Sequence, residues 1–271
     1  MAKRASLIVV AVSALLVGCG SKPPPPPVVP PPPKPFHIIF QEGLTRAQMA
    51  VRVKVVAQIA VHERNRPVRL REPVYLSASR NQVVSCFGRT RRTNLEGFLF
   101  PATYDFLRQT TSRQLVKAQL QAFCRNWESV NMSYARSKNL TPYDVLKIAS
   151  MIEREVAIPS ERPLVAAVIY NRLHDRMQLG IDATLRYGLH IPPTQSILES
   201  QLQNPTPYNT RIHFGLPPTP IANPGLASIR AAAHPAHVGY LYYARRKNSL
   251  HQFFTASLSA YDQFLAANGY R

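Results

Sequence analysis

Acidic residues are scarce in this chain. Fourteen Asp and Glu stand against 33 Lys and Arg, a formal charge of +19 over 271 residues. So basic a chain seeks polyanions: nucleic acid, anionic lipid headgroups or phosphate-bearing wall polymers. Cysteine is scarcer, three in all, and none sits in a CxxC or Cys/His cluster, so nothing suggests a metal. In His234-Pro235-Ala236-His237 a proline interrupts helical ligation, and a surface turn is expected. There is no GxSxG, HExxH or Walker loop, which removes those hydrolase, metalloprotease and nucleotide-binding readings. Metals and cofactors are not expected. A long apolar run is also missing, since the uncharged stretch Ala5–Val17 is too short for a comfortable membrane-spanning helix.

That short run follows Lys3 and Arg4 and leads into Leu16-Val17-Gly18-Cys19, which resembles a bacterial lipobox. Residues 1–18 read as a signal peptide and Cys19 as the lipidated first mature residue; an uncleaved signal anchor is the alternative. Either way the body is expected outside the cytoplasm, tied to the cell membrane, which counts against nucleic acid as a partner. Residues 19–35 continue as a spacer, with ten prolines in Pro23–Pro35. As polyproline II, at about 3.1 Å per residue, it holds the body roughly 40 Å from the lipid. The other two cysteines, Cys86 and Cys124, can pair in an exported protein or remain two free thiols; sequence does not choose.

Residues 36–93 read as a small first unit. Phe36–Phe40 has strand character, Gln41-Glu42-Gly43-Leu44-Thr45 turns, and Ala47–Ala60 is helical with Met49, Val53, Val56 and Ala60 on one face. Pro73–Leu76 is a weak strand or a helix start. The opening loosely resembles the LysM peptidoglycan-binding module; a simple packing subdomain is the other reading. Beyond Arg89-Thr90-Arg91-Arg92, residues 94–271 alternate helices (113–130, 141–157, 160–174, 259–267) with paired strands at Tyr240–Ala244 and His251–Thr255. The mixed order without βαβ repetition predicts an α+β fold.

The most informative stretch is Thr141–Leu173. Thr141 is placed as N-cap, Pro142 as the first helical residue, and Asp144 in the first turn. Val145, Ile148, Ala149, Ile152 and Val156 make one apolar stripe. At about 100° per residue, Glu153 and Glu155 fall roughly 80° to either side of its centre. Partial desolvation at such a margin raises a carboxyl's pKa, which a general acid near neutral pH requires. Helical geometry does not separate the two.

Six segments carry a further signal: Leu95–Tyr104 (LEGFLFPATY), Ala149–Glu155 (ASMIERE), Tyr170–Leu173 (YNRL), Leu179–Gly188 (LGIDATLRYG), Pro207–Thr210 (PYNT) and Gly215–Gly225 (GLPPTPIANPG). In this order they resemble the endolytic murein transglycosylases, the MltG/YceG-like family, over about residues 94–257. The resemblance implies cleavage of peptidoglycan strands between N-acetylmuramic acid and N-acetylglucosamine, the muramyl 6-hydroxyl attacking C1 and leaving a 1,6-anhydro end. One acid/base carboxyl suffices for this chemistry, and the family motif puts it on Glu153. Its helix neighbours Leu146, Ala149 and Ser150 give it a dry side. Glu155, Glu96, Asn171, Asp182, Tyr187, Asn209 and Asn223 are candidate substrate-binding residues, because sugar N-acetyl and hydroxyl groups need polar partners. Tyr208 and Phe214 could stack on sugars, and His251 could face the cleft. Where many members have Gln-x-Asp-Pro-Thr, this chain has Gly180-Ile181-Asp182-Ala183-Thr184, losing an amide.

The fold expected is thus a LysM-like subdomain followed by a mixed α/β catalytic domain with a lysozyme-like glutamate on a helix. Peptidoglycan strands are the expected partner, with peptidoglycan synthases as further candidates. Two competing readings stand beside it: a non-catalytic wall-binding lipoprotein, and a polyanion binder.

Overall fold

Phe36, Ile38 and Phe40 are buried while His37 and Ile39 face out, the period-two alternation of a half-buried strand. The computed structural model describes residues 34–62, 65, 67–88 and 92–270; the expected signal peptide, Cys19 and spacer residues 23–33 lie outside them. Strand β1 (Phe36–Ile39) pairs antiparallel with β2 (Thr103–Phe106), Phe36 opposite Phe106 with their rings stacked at 5.4 Å. Between these strands run α1 (Arg46–His62) and α2 (Glu72–Ala78). Pro73 in the first turn of α2 resolves the ambiguous Pro73–Leu76 as helix, the position that tolerates a missing N–H. The partner of β1 lies beyond residue 93, the boundary read from sequence, and Lys34–Arg271 gathers into one unit with a shared core.

The chain continues through α3 (Ser112–Glu128), α4 (Ser133–Ser137), α5 (Pro142–Glu155), α6 (Arg162–His174), α7 (Asp182–Leu189), α8 (Glu199–Leu202) and α9 (Leu226–Ala233). It ends in the antiparallel hairpin β3 (Tyr242–Arg245) and β4 (Gln252–Thr255), then α10 (Leu258–Ala267). Among the described residues, two small sheets amid helices make this an α+β fold. Helix α5 begins in a capping box: Thr141 Oγ1 accepts from Asp144 N at 3.2 Å, and Asp144 Oδ2 accepts from Thr141 N at 3.0 Å. Its buried run Val145–Ile152, broken only by half-buried Lys147, packs mainly on α9 and α6. Val156 leaves the helix in an extended conformation, so Glu153 and Glu155 sit in its final turn.

Cys86 and Cys124 form a disulfide, with Cα atoms 5.6 Å apart, which decides the alternative that sequence left open. It pins the short turn Ser85–Phe87 to α3, where Phe87 packs on Trp127 and Phe98 at 4.7 and 5.1 Å between ring centres.

Gly97 brings the 95–104 segment against the 215–225 segment. Its φ is +88°, and a Cβ there would lie 2.6 Å from the Cβ of Pro220. Left-handed backbone and a clash with a rigid ring act together, so Gly97→Ala is expected to cost about 3 kcal/mol. Urea denaturation measures it; a loss under about 1 kcal/mol would mean the two segments separate easily.

Candidate functional site

The last turn of α5 points its two glutamates into different surroundings. Glu153 has a side chain only 6 % exposed. Its Oε2 accepts from Gly225 N, the residue capping α9, at 2.9 Å, and its Oε1 lies 3.7 Å from Arg162 Nη2. The same guanidinium lies 3.9 Å from Glu42 Oε2, so one cation faces two carboxyls. Glu42 lies almost on the Gly225 backbone: a Cβ on Gly225 would come within 1.7 Å of its Oε1. Burial raises the Glu42 pKa, the charge of Glu153 raises it further, and Arg162 opposes both. The Glu42-Gly43-Leu44 turn is held there by Gly43 N donating to Asn223 O, Asn223 N donating to Leu44 O, and Arg154 Nη1 donating to Gly43 O.

Glu155 turns to the other side. Tyr243 Oη donates to its Oε2 at a long 3.5 Å. Burial pushes its pKa up to about 7, with the Asp182 charge adding and the Ala183 N–H opposing. It borders a cleft of about 620 Å³ together with Asp182, Arg172, Arg211 and Tyr243. Asp182 accepts from Arg211 Nε at 3.0 Å and from Nη2. A second cleft of about 410 Å³ is bordered by Glu96, Tyr187, Arg46, Arg186 and His190. Arg154 borders both clefts, whereas Glu153 borders neither.

Glu96 is buried at the second cleft. Its Oε1 accepts from Arg46 N at 2.9 Å and Asn223 Nδ2 at 3.0 Å, and its Oε2 from Tyr187 Oη at 3.2 Å. Burial nonetheless pushes its pKa to about 7. Between 4.5, the ordinary value, and 7 the folded protein therefore holds more protons at this group than the unfolded chain. The stability from that protonated state is present below 4.5 and is lost as pH rises through 7. Glu96→Gln keeps an acceptor for Arg46 N and Asn223 and offers N–H to Tyr187. It is expected to flatten the fall in unfolding free energy between pH 5 and 8. A slope identical to wild type would contradict this.

The structure unites some of the sequence candidates and not others. Glu96, Tyr187 and Asn223 form one network, and Glu155 shares a cleft with Asp182. Asn223 also donates to Leu44 O and accepts from Leu99 N, both at 2.9 Å, so its amide ties three segments. Asn209 is fully buried and donates to Leu202 O and Asn204 O, while accepting from Arg211 N. Asn171 donates to Val238 O and Tyr240 O. These amides hold loops in place. Tyr208 bonds Thr219, Phe214 is exposed, and His251 pairs with Glu161 at 3.0 Å. The sequence gives no site role to Glu42, Arg162 or Tyr243, and Gly225 enters only as the end of the Gly215–Gly225 segment; the Glu42-Gly43 turn stands out only through its LysM-like look.

A family model described as YceG-like family matches residues 28–266. The chain is 34% identical over 180 residues to the endolytic murein transglycosylase of Bacillus subtilis (strain 168), covering 65% of this chain and 49% of that protein. It is 35% identical over 158 residues to the endolytic murein transglycosylase of Streptococcus pneumoniae (strain ATCC BAA-255 / R6), 56% of this chain and 28% of that one. It thus spans about half or less of the length of these curated relatives. Among solved structures, a yceG-like protein from Listeria monocytogenes superposes with a TM-score of 0.71 at 26% identity, over 84% of this chain and 75% of that one. With the family model matching most of its length, this chain belongs to the YceG-like family.

Proposed function

We propose that this protein is an endolytic peptidoglycan transglycosylase, cutting glycan strands internally at the MurNAc–GlcNAc bond with Glu153 as acid and base. The observation that carries the reading is the enclosed Glu153 carboxyl at the end of α5, 6 % exposed and held by the Gly225 N–H and Arg162; it borders neither cleft itself, but its neighbour Arg154 borders both. Its partners fit the role. The protonated carboxyl gives its proton to the glycosidic oxygen as the C1–O bond breaks. The carboxylate left behind is met by the Gly225 N–H and Arg162, then takes the proton of the muramyl 6-hydroxyl as O6 bonds to C1. No water is consumed, and the new end is 1,6-anhydro-MurNAc. The names of the two curated relatives support the substrate class.

A second reading exchanges the glutamates. Glu155 borders the 620 Å³ cleft, and burial pushes its pKa up to about 7, the range a general acid needs at neutral pH. The strand–helix–helix–strand order of β1, α1, α2 and β2 supports the LysM-like view of the first unit. Lipidation at Cys19 with a proline-rich spacer accounts for a body held outside the cytoplasm at some distance from the membrane, near newly made strands. Cutting there would end glycan elongation, with synthases as working partners. Digestion of uncrosslinked strands followed by mass spectrometry tests the function. Anhydro-muramyl ends are expected; intact strands that still bind the protein would instead mark a wall-binding lipoprotein.

A further inference from the structure

The cleft on the Glu155 side is rich in one chemistry. Arg154, Arg172, Arg211 and Arg245 border it, and the acids facing them are Glu155 and Asp182, the latter already paired with Arg211. Arg172 is fixed: its Nε donates to Leu241 O at 2.6 Å, and its Nη1 to Gln178 O and Leu179 O. Arg154 and Arg245 are exposed. A cluster of guanidinium groups on ordered backbone is a receptor for carboxylate or phosphate oxygens. A second observation asks for a donor as well. Gln252, on β4 at the same cleft and 8 % exposed, gives its Nε2 hydrogen to Glu155 O at 3.0 Å, but its Oε1 is buried without a hydrogen-bond partner. An unpaired buried amide oxygen is costly, and a ligand N–H is the group that relieves it. Leu179, Ala244 and Leu265 add small apolar walls.

Anion, amide N–H and small apolar side chain together describe a short peptide bearing carboxylates better than they describe a sugar or a phosphodiester. The geometry points to this cleft as a subsite for the carboxylate-bearing stem peptide carried on the muramyl lactyl group of the glycan. This rests on the glycan-cleavage reading for its biological setting, but the binding itself is separable from catalysis. It places the peptide beside the last turn of α5, one side of Arg154, while the sugar chain crosses toward the Glu96 cleft. A strand would then be gripped by its peptides as well as its sugars.

The test is titration calorimetry of the full chain with a disaccharide–tetrapeptide and with the same disaccharide lacking its peptide. The peptide-bearing ligand is expected to bind at least about tenfold tighter, the size of one charge-assisted hydrogen bond. Arg245→Ala, an exposed strand-end change, is expected to erase that difference, with unchanged circular dichroism verifying the fold. Inorganic phosphate is expected to compete weakly. Equal binding of the two ligands, a preference untouched by Arg245→Ala, or phosphate displacing the peptide-bearing ligand at equal concentration would each overturn the proposal. Cleavage of stem-bearing and amidase-stripped strands separates the two readings. If neither strand is cut while the binding preference holds, the catalytic reading fails and the subsite stands.

Discussion

Glu153→Gln is expected to lower glycan cleavage by about 10²–10⁴-fold, the usual share of a general acid/base, without unfolding the protein. The amide still accepts from Gly225 N, so local geometry survives while the transferable proton is gone. The change appears in kcat rather than KM, because strand binding uses the groups that border the clefts. Glu155→Gln is the companion variant. Its carboxyl faces Tyr243 and Asp182, and under the main reading its loss costs less than about tenfold. If Glu155→Gln is the dead variant and Glu153→Gln is active, the two roles are exchanged. If both remain active, the acid lies outside this helix turn.

The second large effect concerns stability. The Cys86–Cys124 disulfide spans a sequence separation of 38 residues. Closing a loop of that length restricts the unfolded chain by about 4 kcal/mol in the chain-entropy account. The Cys86→Ala/Cys124→Ala double variant, or wild type under reductant, is expected to lose roughly that much in urea denaturation. The bond joins the Ser85–Phe87 turn to α3, beside the cluster of Phe87, Phe98, Phe123 and Trp127, so aromatic packing is expected to loosen with it. A change under about 1 kcal/mol would show that the packing alone fixes this turn on α3.

Local signals in the sequence translated into structure well. Thr141, Pro142 and Asp144 announce the start of α5 through the capping box that the structure contains. The alternating aromatics of 240–255 become the β3–β4 hairpin because each strand needs only its own period-two pattern. Long-range pairings were harder to read. β3 and β4 are neighbours along the chain, whereas β2 pairs with β1, which precedes it by two helices. Glu42 meets Arg162 and Gly225 only because the 42–44 turn and the 223–225 segment exchange backbone hydrogen bonds, which no local pattern encodes. Polar motif residues also divide in a way that composition hides. Asn171, Asn209 and Asn223 have their side-chain N–H groups directed at the protein's own acceptors, whereas Glu155 and Asp182 border open space. Residue type showed where polarity was needed; only packing shows whether a loop or a cleft uses it.

Under the proposed mechanism a hydroxyl of the substrate, not water, takes the place of the leaving sugar at C1. Digestion of uncrosslinked strands in H2¹⁸O with mass spectrometry of the new ends addresses this directly. The expected fragments end in 1,6-anhydro-MurNAc and carry no ¹⁸O. Reducing ends that each contain one ¹⁸O atom would mean hydrolysis, and would contradict intramolecular attack by the 6-hydroxyl.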